Sequence, residues 1–276
     1  MTVSPTWFES ANPKASIVIA PAMGVRQDFY TRFAEYLASH GFQVATIDYT
    51  DAGFNEPKSL ERSTVTFDQW GADLDALIDA ASTQSPSLPI VLCGHSLGGQ
   101  LLGTLRNRHR VSAALTVASG SGYWGHNPRM RLKLLYLWYI AMPLFTRMFG
   151  YFPGRRLNKV GNLPREVALT WARWCRDPQY LLGDAAIRQR SGFHEVEAPI
   201  LSISFSDDDL IMKSAIDQLH GFYSHAQVER RHLQPSDVGE KRIGHFGFFK
   251  LQADHALWQQ CVGWLNHSIQ PNKAST

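Results

Sequence analysis

Short apolar runs alternate with longer amphipathic segments along most of this chain. The runs are rich in β-branched residues and have the length of buried strands, whereas the longer segments carry apolar side chains at helical spacing. The apolar runs predict strands over 15–20, 42–47, 88–93, 111–118 and 199–205, and an alternation of apolar and polar residues predicts a further strand over 227–233. The amphipathic segments predict helices over 28–39, 67–81, 100–106, 213–223 and 252–269. Such alternation predicts an α/β fold, in which helices cover both faces of a mostly parallel sheet.

The alternation stops between residues 120 and 195, where the pattern predicts helices with many aromatic residues. This segment holds twelve Lys/Arg and four Asp/Glu, a net of +8, while the rest of the chain holds fifteen and twenty, a net of −5. A shift of this size indicates a subdomain. We therefore expect a first core segment (1–119), a helical lid or cap (120–195) and a second core segment (196–276), and a chain of 276 residues accommodates that arrangement.

One stretch of the insert, residues 132–149, is nearly all apolar and about as long as a membrane span. Pro143 and Arg147 interrupt it, so we expect cap helices there. Two interpretations of the basic residues around it stay open. They form either a contact with an anionic substrate or a phospholipid surface, or a solvated face.

The cysteines and the N-terminus bear on the compartment. Cys93, Cys175 and Cys261 are widely spaced and none belongs to a metal-type pair such as C-x-x-C. Residues 1–11 have neither a basic start nor an apolar core, so no signal peptide is expected. We expect a cytoplasmic protein with no metal site and no nucleic-acid partner.

The strongest chemical signal is the hexapeptide Gly94–Gly99, which reads GHSLGG between a predicted strand and a predicted helix. A serine in G-x-S-x-G at such a junction is typical of the nucleophile elbow of α/β-hydrolases. The turn is so sharp that the positions two residues from the serine must lack side chains. Ser96 is therefore the candidate nucleophile.

A serine hydroxyl needs a base, and the base needs an orienting acid. His245 lies in the loop between the last predicted strand and the C-terminal helix, whereas the other late histidines lie in or beside predicted helices and strands. The acid should follow the strand that ends at Phe205, where Asp207, Asp208 and Asp209 compete. Acyl transfer also needs backbone N–H donors for the oxyanion: one from Leu97, and one from loop 21–24 after the first strand.

These motifs resemble the α/β-hydrolase superfamily over essentially the whole chain. The layout looks most like the branch of monoacylglycerol lipases and serine aminopeptidases, and it is especially similar to a bacterial group with PAMG (21–24), GHSLGG (94–99) and GHFGFF (244–249) at these places. The resemblance implies an eight-stranded, mostly parallel sheet with a helical lid. It also implies hydrolysis through an acyl-enzyme without a cofactor.

The family pattern favours one residue for the triad acid and one residue for the second oxyanion donor. Relatives carry Gly-x-x-Asp after the strand that precedes the triad acid, with the acid at the last position. Phe205 stands at the position of the glycine, so the pattern indicates Asp208 as the acid, and Asp207 is the second candidate. Many relatives carry His-Gly where Pro21 and Ala22 stand, which makes Met23 the second oxyanion donor. A departure is the segment 48–55, where relatives often have Asp-x-Arg-Gly-x-Gly-x-Ser. The arginine is missing here, which puts the packing of that loop in doubt.

We therefore expect a carboxylesterase or lipase-like serine hydrolase acting on a small, apolar acyl substrate. The same residues also suit an acyltransferase, a thioesterase, a peptidase or a carbon–carbon bond hydrolase. A non-catalytic ligand-binding protein on this fold is the alternative from another class. Haloalkane dehalogenases and epoxide hydrolases are disfavoured, because their elbow carries Asp where Ser96 stands. The sequence leaves the oligomeric state open.

Overall fold

A seven-stranded sheet organises the structure, a computed structural model that describes residues 4–157 and 160–270. The ends of the predicted core segments, residues 1–3 and 271–276, and residues 158–159 of the predicted lid lie outside the described residues. The sheet strands are β1 (Thr6–Phe8), β2 (Ser16–Ala20), β3 (Gln43–Thr46), β4 (Ile90–His95), β5 (Val111–Val117), β8 (Ile200–Phe205) and β9 (Val228–Leu233), and β6 (Tyr151–Phe152) and β7 (Leu163–Pro164) form a separate pair. The helices are α1 (Thr31–Ser39), α2 (Phe67–Gln84), α3 (Leu97–Gln100), α4 (Arg131–Tyr136), α5 (Met142–Phe149), α6 (Arg165–Trp174), α7 (Ala185–Arg190), α8 (Lys213–Gly221) and α9 (Ala256–Ser268).

The strand order across the sheet is β1-β3-β2-β4-β5-β8-β9. Within this sheet β1 runs antiparallel to β3, and the other pairings are parallel. This confirms the predicted α/β-hydrolase fold, although the described residues form seven sheet strands where the resemblance implies eight. The sequence pattern did not predict β1, because three half-exposed residues are too short to show an alternation.

Two apolar cores lie on the two faces of the sheet. One contains Phe33 of α1 and Trp258 of α9, and the other contains Trp70 of α2. All six predicted sheet strands form within two residues of their predicted limits. Because these six strands are parallel neighbours, their carboxyl ends meet at one edge, where ligands bind in sheets of this type.

The helix predicted over 100–106 is wrong. The structure instead forms the four-residue helix α3, followed by 3₁₀ turns at Leu102–Thr104 and Arg106–Arg110. Glycines at positions 98, 99 and 103 weaken a regular helix there, since each costs about 1 kcal/mol relative to alanine.

The predicted insert, residues 120–195, lies in the chain between β5 and β8, which are neighbouring strands of the sheet. Helices predicted over 132–149 form as α4, a π-helical turn (Leu137–Ala141) and α5. Within the described residues, no helix is long and apolar enough to cross a membrane. Tyr180 and Phe193 of the insert are buried in the same core as Trp70, so part of the insert packs as an extension of the main core.

Ion pairs join the basic insert to the acidic core. Arg155 pairs with Glu56 at 2.7 Å, and Arg190 pairs with Asp68. The Arg190–Asp68 pair is exposed on both sides, and such a pair contributes roughly 0–1 kcal/mol. Basic side chains of the predicted insert are therefore partly paired with acidic side chains of the predicted core.

Candidate active site

Ser96 occupies a strained turn between β4 and α3. Its backbone has φ 49° and ψ −112°, a conformation that costs about 1–3 kcal/mol in a non-glycine residue. A Cβ atom at Gly98 would lie 2.0 Å from the carbonyl oxygen of Ala20 in β2, so only glycine allows this contact between the turn and the strand. The turn leaves the Ser96 side chain half-buried at the carboxyl edge of the sheet.

The loops after β8 and β9 bring Asp208 and His245 together. Nδ1 of His245 lies 2.8 Å from Oδ2 of Asp208, and both side chains are buried. The other oxygen of Asp208 accepts hydrogen bonds from the backbone N–H groups of Leu210 (2.8 Å) and Ile211 (3.0 Å). Because a carboxylate only accepts, we infer that Nδ1 carries the proton and that Nε2 has a free lone pair.

The neighbouring carboxylates have different partners. Asp207 accepts hydrogen bonds from the backbone N–H groups of Ile243 (2.9 Å) and Gly244 (3.0 Å). It therefore holds the start of the histidine loop without contacting the imidazole, a role that the sequence did not indicate. The side chain of Asp209 is 65% exposed and lies at the limit of an ion pair with Arg242.

His95, the residue before Ser96, contacts the loop of His245. Nε2 of His95 lies 3.0 Å from the carbonyl oxygen of His245, and the two imidazole rings are 5.3 Å apart. Within residues 4–157 and 160–270, no hydrogen bond joins the Ser96 hydroxyl to His245. Such bonds are often long in unliganded enzymes and tighten around a substrate.

Two backbone donors lie at the same edge of the sheet. Leu97 is the first residue of α3, where an N–H has no partner within the helix. Met23 follows β2, whose last residue, Ala20, pairs with Gly94 of β4. In the described part of the chain, the N–H groups of Met23 and Leu97 donate to no acceptor.

The insert packs on the loop that carries Met23. Gly24 has φ +65°, and a Cβ atom there would lie 2.6 Å from the backbone nitrogen of Gly161. Residues of the insert therefore lie directly on loop 21–24.

The loop after β3 is held without the arginine that relatives carry. The carboxylate of Asp48 accepts hydrogen bonds from the backbone N–H groups of Gln27 (2.8 Å) and Phe54 (3.0 Å). Burial raises the pKa of Asp48, and these two bonds oppose that rise. Backbone N–H groups thus hold this loop in the absence of the arginine that relatives often have.

Residues 11–168 match the family described as serine aminopeptidase, S33. The matched segment is more than half of the chain and includes Ser96, Met23 and Leu97. The chain belongs to this family. Its members are α/β-hydrolases, in agreement with the fold of this chain. A monoacylglycerol lipase of Mycolicibacterium smegmatis is 22% identical over 121 residues, which are 44% of this chain and 42% of that protein.

Solved structures show the same fold at low sequence identity. A soluble variant of monoglyceride lipase from Saccharomyces cerevisiae, in complex with a substrate analogue, superimposes with a TM-score of 0.69 and 13% identity, and the match covers 98% of this chain and 92% of that one. The monoacylglycerol lipase of Paleococcus ferrophilus superimposes with a TM-score of 0.60 and 13% identity, covering 97% and 100%. At this identity the similarity establishes the fold of this family member.

Proposed function

We propose that this α/β-hydrolase cleaves carboxylic esters with Ser96 as nucleophile, His245 as base and Asp208 as the acid that orients the base. The proposal rests on two features that His95 connects: the strained turn at Ser96, and the buried Asp208–His245 pair whose Nε2 is free to accept a proton. A binding protein needs neither the strain nor the oriented imidazole.

In the proposed reaction, Oγ of Ser96 attacks the ester carbonyl carbon while Nε2 of His245 takes the hydroxyl proton. The carbonyl oxygen becomes an oxyanion that the N–H groups of Met23 and Leu97 stabilise. Each such donor contributes about 3–4 kcal/mol to the transition state. His245 then gives the proton to the leaving alcohol, which departs and leaves an acyl-enzyme. Water repeats the cycle, releasing the acid and restoring Ser96.

The substrate class in this proposal is an ester with an apolar acyl chain, with monoacylglycerols as its first representatives. The similarity to the monoacylglycerol lipases described above supports it. Residues 120–195 would act as the lid that bounds the acyl pocket, supported by the contact of Gly161 with the loop of Met23. A cytoplasmic setting belongs to the same proposal, supported by three buried cysteines that are free thiols.

The test is a panel of p-nitrophenyl esters, monoacylglycerols and aminoacyl amides of increasing acyl length. We expect ester turnover by the wild type and none by Ser96→Ala with an unchanged melting temperature. Ser206→Ala is the matched control, because Ser206 is an exposed serine in the acid loop. Full activity of Ser96→Ala would refute the assignment. Turnover of amides alone would replace the ester substrate with a peptide.

A further inference from the structure

Both polar atoms of the Pro21–Ala22 peptide bond are held by tyrosine hydroxyl groups. The hydroxyl of Tyr49 donates to the carbonyl oxygen of Pro21 at 3.1 Å, and the N–H of Ala22 donates to the hydroxyl oxygen of Tyr30 at 2.8 Å. The two bound atoms belong to one planar peptide unit. Together the bonds therefore oppose rotation of that plane about the chain.

The two tyrosines come from opposite faces of the sheet. Tyr30 directly precedes α1 and belongs to the core that contains α1 and α9. Tyr49 follows β3, and its ring stacks on Trp70 of α2 with centroids 4.7 Å apart. Tyr30 and Tyr49 are 0% and 2% exposed, so packed side chains fix both hydroxyl positions.

A buried histidine sets the direction of the Tyr30 hydroxyl. The carbonyl of His245 only accepts, so Nε2 of His95, 3.0 Å away, must carry the proton. Nδ1 of His95 is then bare and accepts from the Tyr30 hydroxyl at 3.0 Å, which leaves a lone pair of that oxygen for Ala22. Burial, followed by the nearby His245, holds the pKa of His95 well below its usual range, so the ring stays neutral.

We propose that Tyr30 and Tyr49 are positioning residues that clamp the Pro21–Ala22 peptide so that the next N–H along the chain, that of Met23, points at the oxyanion. A rotated plane would change the backbone angles of Ala22 and turn the Met23 N–H away. His95 connects this clamp to the main chain of His245. The inference rests on the proposed function, because it assigns a role to residues around the oxyanion hole of that reaction.

A purely structural role for these hydroxyls predicts a different kinetic result. Satisfying buried polar groups affects the free energy of unfolding. Aiming an oxyanion donor affects the transition state, in which the charge develops, and leaves ground-state substrate binding unchanged. The clamp therefore predicts a loss in kcat without a matching change in KM.

The test uses Tyr30→Phe, Tyr49→Phe and the double variant in the full chain. Each substitution removes one hydroxyl and keeps the ring. We expect kcat for a p-nitrophenyl ester to fall at least about tenfold in each single variant and about 10²–10³-fold in the double variant. KM should stay within about twofold.

Tyr36→Phe is the matched control. Tyr36 is a buried tyrosine of α1, and its hydroxyl has no hydrogen-bond partner among the described residues. Removing that hydroxyl should leave kcat unchanged. An equal loss of kcat in Tyr36→Phe would show that any buried hydroxyl matters and would overturn the clamp.

An alkyl trifluoromethyl ketone supplies a second readout, because the serine adds to it to form a tetrahedral oxyanion. We expect its inhibition constant to weaken in the tyrosine variants by the same factor as kcat/KM. Unchanged kcat and inhibition constants in the double variant would refute the clamp while the proposed function stands. A wild type that neither turns over esters nor reacts at Ser96 would refute the proposed function, and the clamp with it.

Discussion

Replacing Asp208 with asparagine changes one atom beside the imidazole. The N–H groups of Leu210 and Ile211 both donate to Oδ1, and only the oxygen of an asparagine can accept them. The new NH₂ group would therefore take the place of Oδ2, which lies 2.8 Å from Nδ1 of His245. The backbone thus dictates which way the asparagine points.

An NH₂ group donates, so Nδ1 of His245 must lose its proton and Nε2 must carry it instead. In that tautomer Nε2 cannot accept the proton of Ser96. A tautomer error of this kind costs a serine protease about 10⁴ in kcat. At 1.36 kcal/mol for each factor of ten, the loss is about 5 kcal/mol of transition-state stabilisation. We expect a loss of this size in Asp208→Asn.

Asp207→Asn is the matched control. It removes one of two hydrogen bonds to the backbone before His245, worth about 1 kcal/mol, and leaves the imidazole bond in place. We expect kcat to fall by less than about tenfold. The assay is p-nitrophenyl butyrate turnover, normalised by active-site titration and accompanied by melting temperatures. A larger loss in Asp207→Asn than in Asp208→Asn would refute the reasoning.

Three further predictions test stability and loop geometry. Burial lowers the pKa of His220 from 6.5 to about 4, so between these pH values the unfolded chain binds more protons than the folded chain. The free energy of unfolding should therefore fall by up to about 3 kcal/mol as the pH drops from 6.5 to 4. Urea titrations of His220→Gln should lack this contribution, and an unchanged pH dependence of its free energy of unfolding would contradict it. Gly98→Ala should lower the free energy of unfolding by about 1–3 kcal/mol or more, because its Cβ atom would clash with Ala20. Gly263→Ala, in open space on α9, should raise the free energy of unfolding by about 0.5–1 kcal/mol. Equal effects of the two substitutions would contradict the packing argument. Gly24→Ala should lower kcat, because its Cβ atom would displace the backbone of the insert from loop 21–24, and wild-type kcat would contradict that contact.

Local signals explain what the sequence predicted well. Strands β2, β3, β4, β5 and β8 are buried, mostly apolar runs, so their positions follow from the local sequence, whereas β9 shows an alternation of apolar and polar residues. The turn at Ser96 requires glycines at fixed spacing, so it is visible without any long-range contact. His245 was predicted from its place between the last strand and the last helix, and that place follows from the order of the elements.

Long-range contacts explain what the sequence did not predict. Asp207 and Asp208 are adjacent and chemically identical, so only the family pattern favoured Asp208, and nothing in the sequence predicted the hydrogen bonds of Asp207 to the histidine loop. The hydrogen-bond partners of His95, Tyr30 and His245, are 65 and 150 positions away along the chain, and no sequence periodicity predicts such partners. The helix after Ser96 was predicted to be longer than α3, because the apolar residues that follow fit a helical pattern. The glycines in this segment end the helix early.

Covalent labelling of Ser96 tests the central claim most directly. Wild-type protein and Ser96→Ala would be incubated with a fluorophosphonate, followed by intact-mass measurement and peptide mapping. We predict one adduct per wild-type chain, located on Ser96, and none on the variant. No adduct on a folded wild-type chain, or an adduct on another residue that persists in Ser96→Ala, would contradict the assignment of Ser96 as an activated nucleophile.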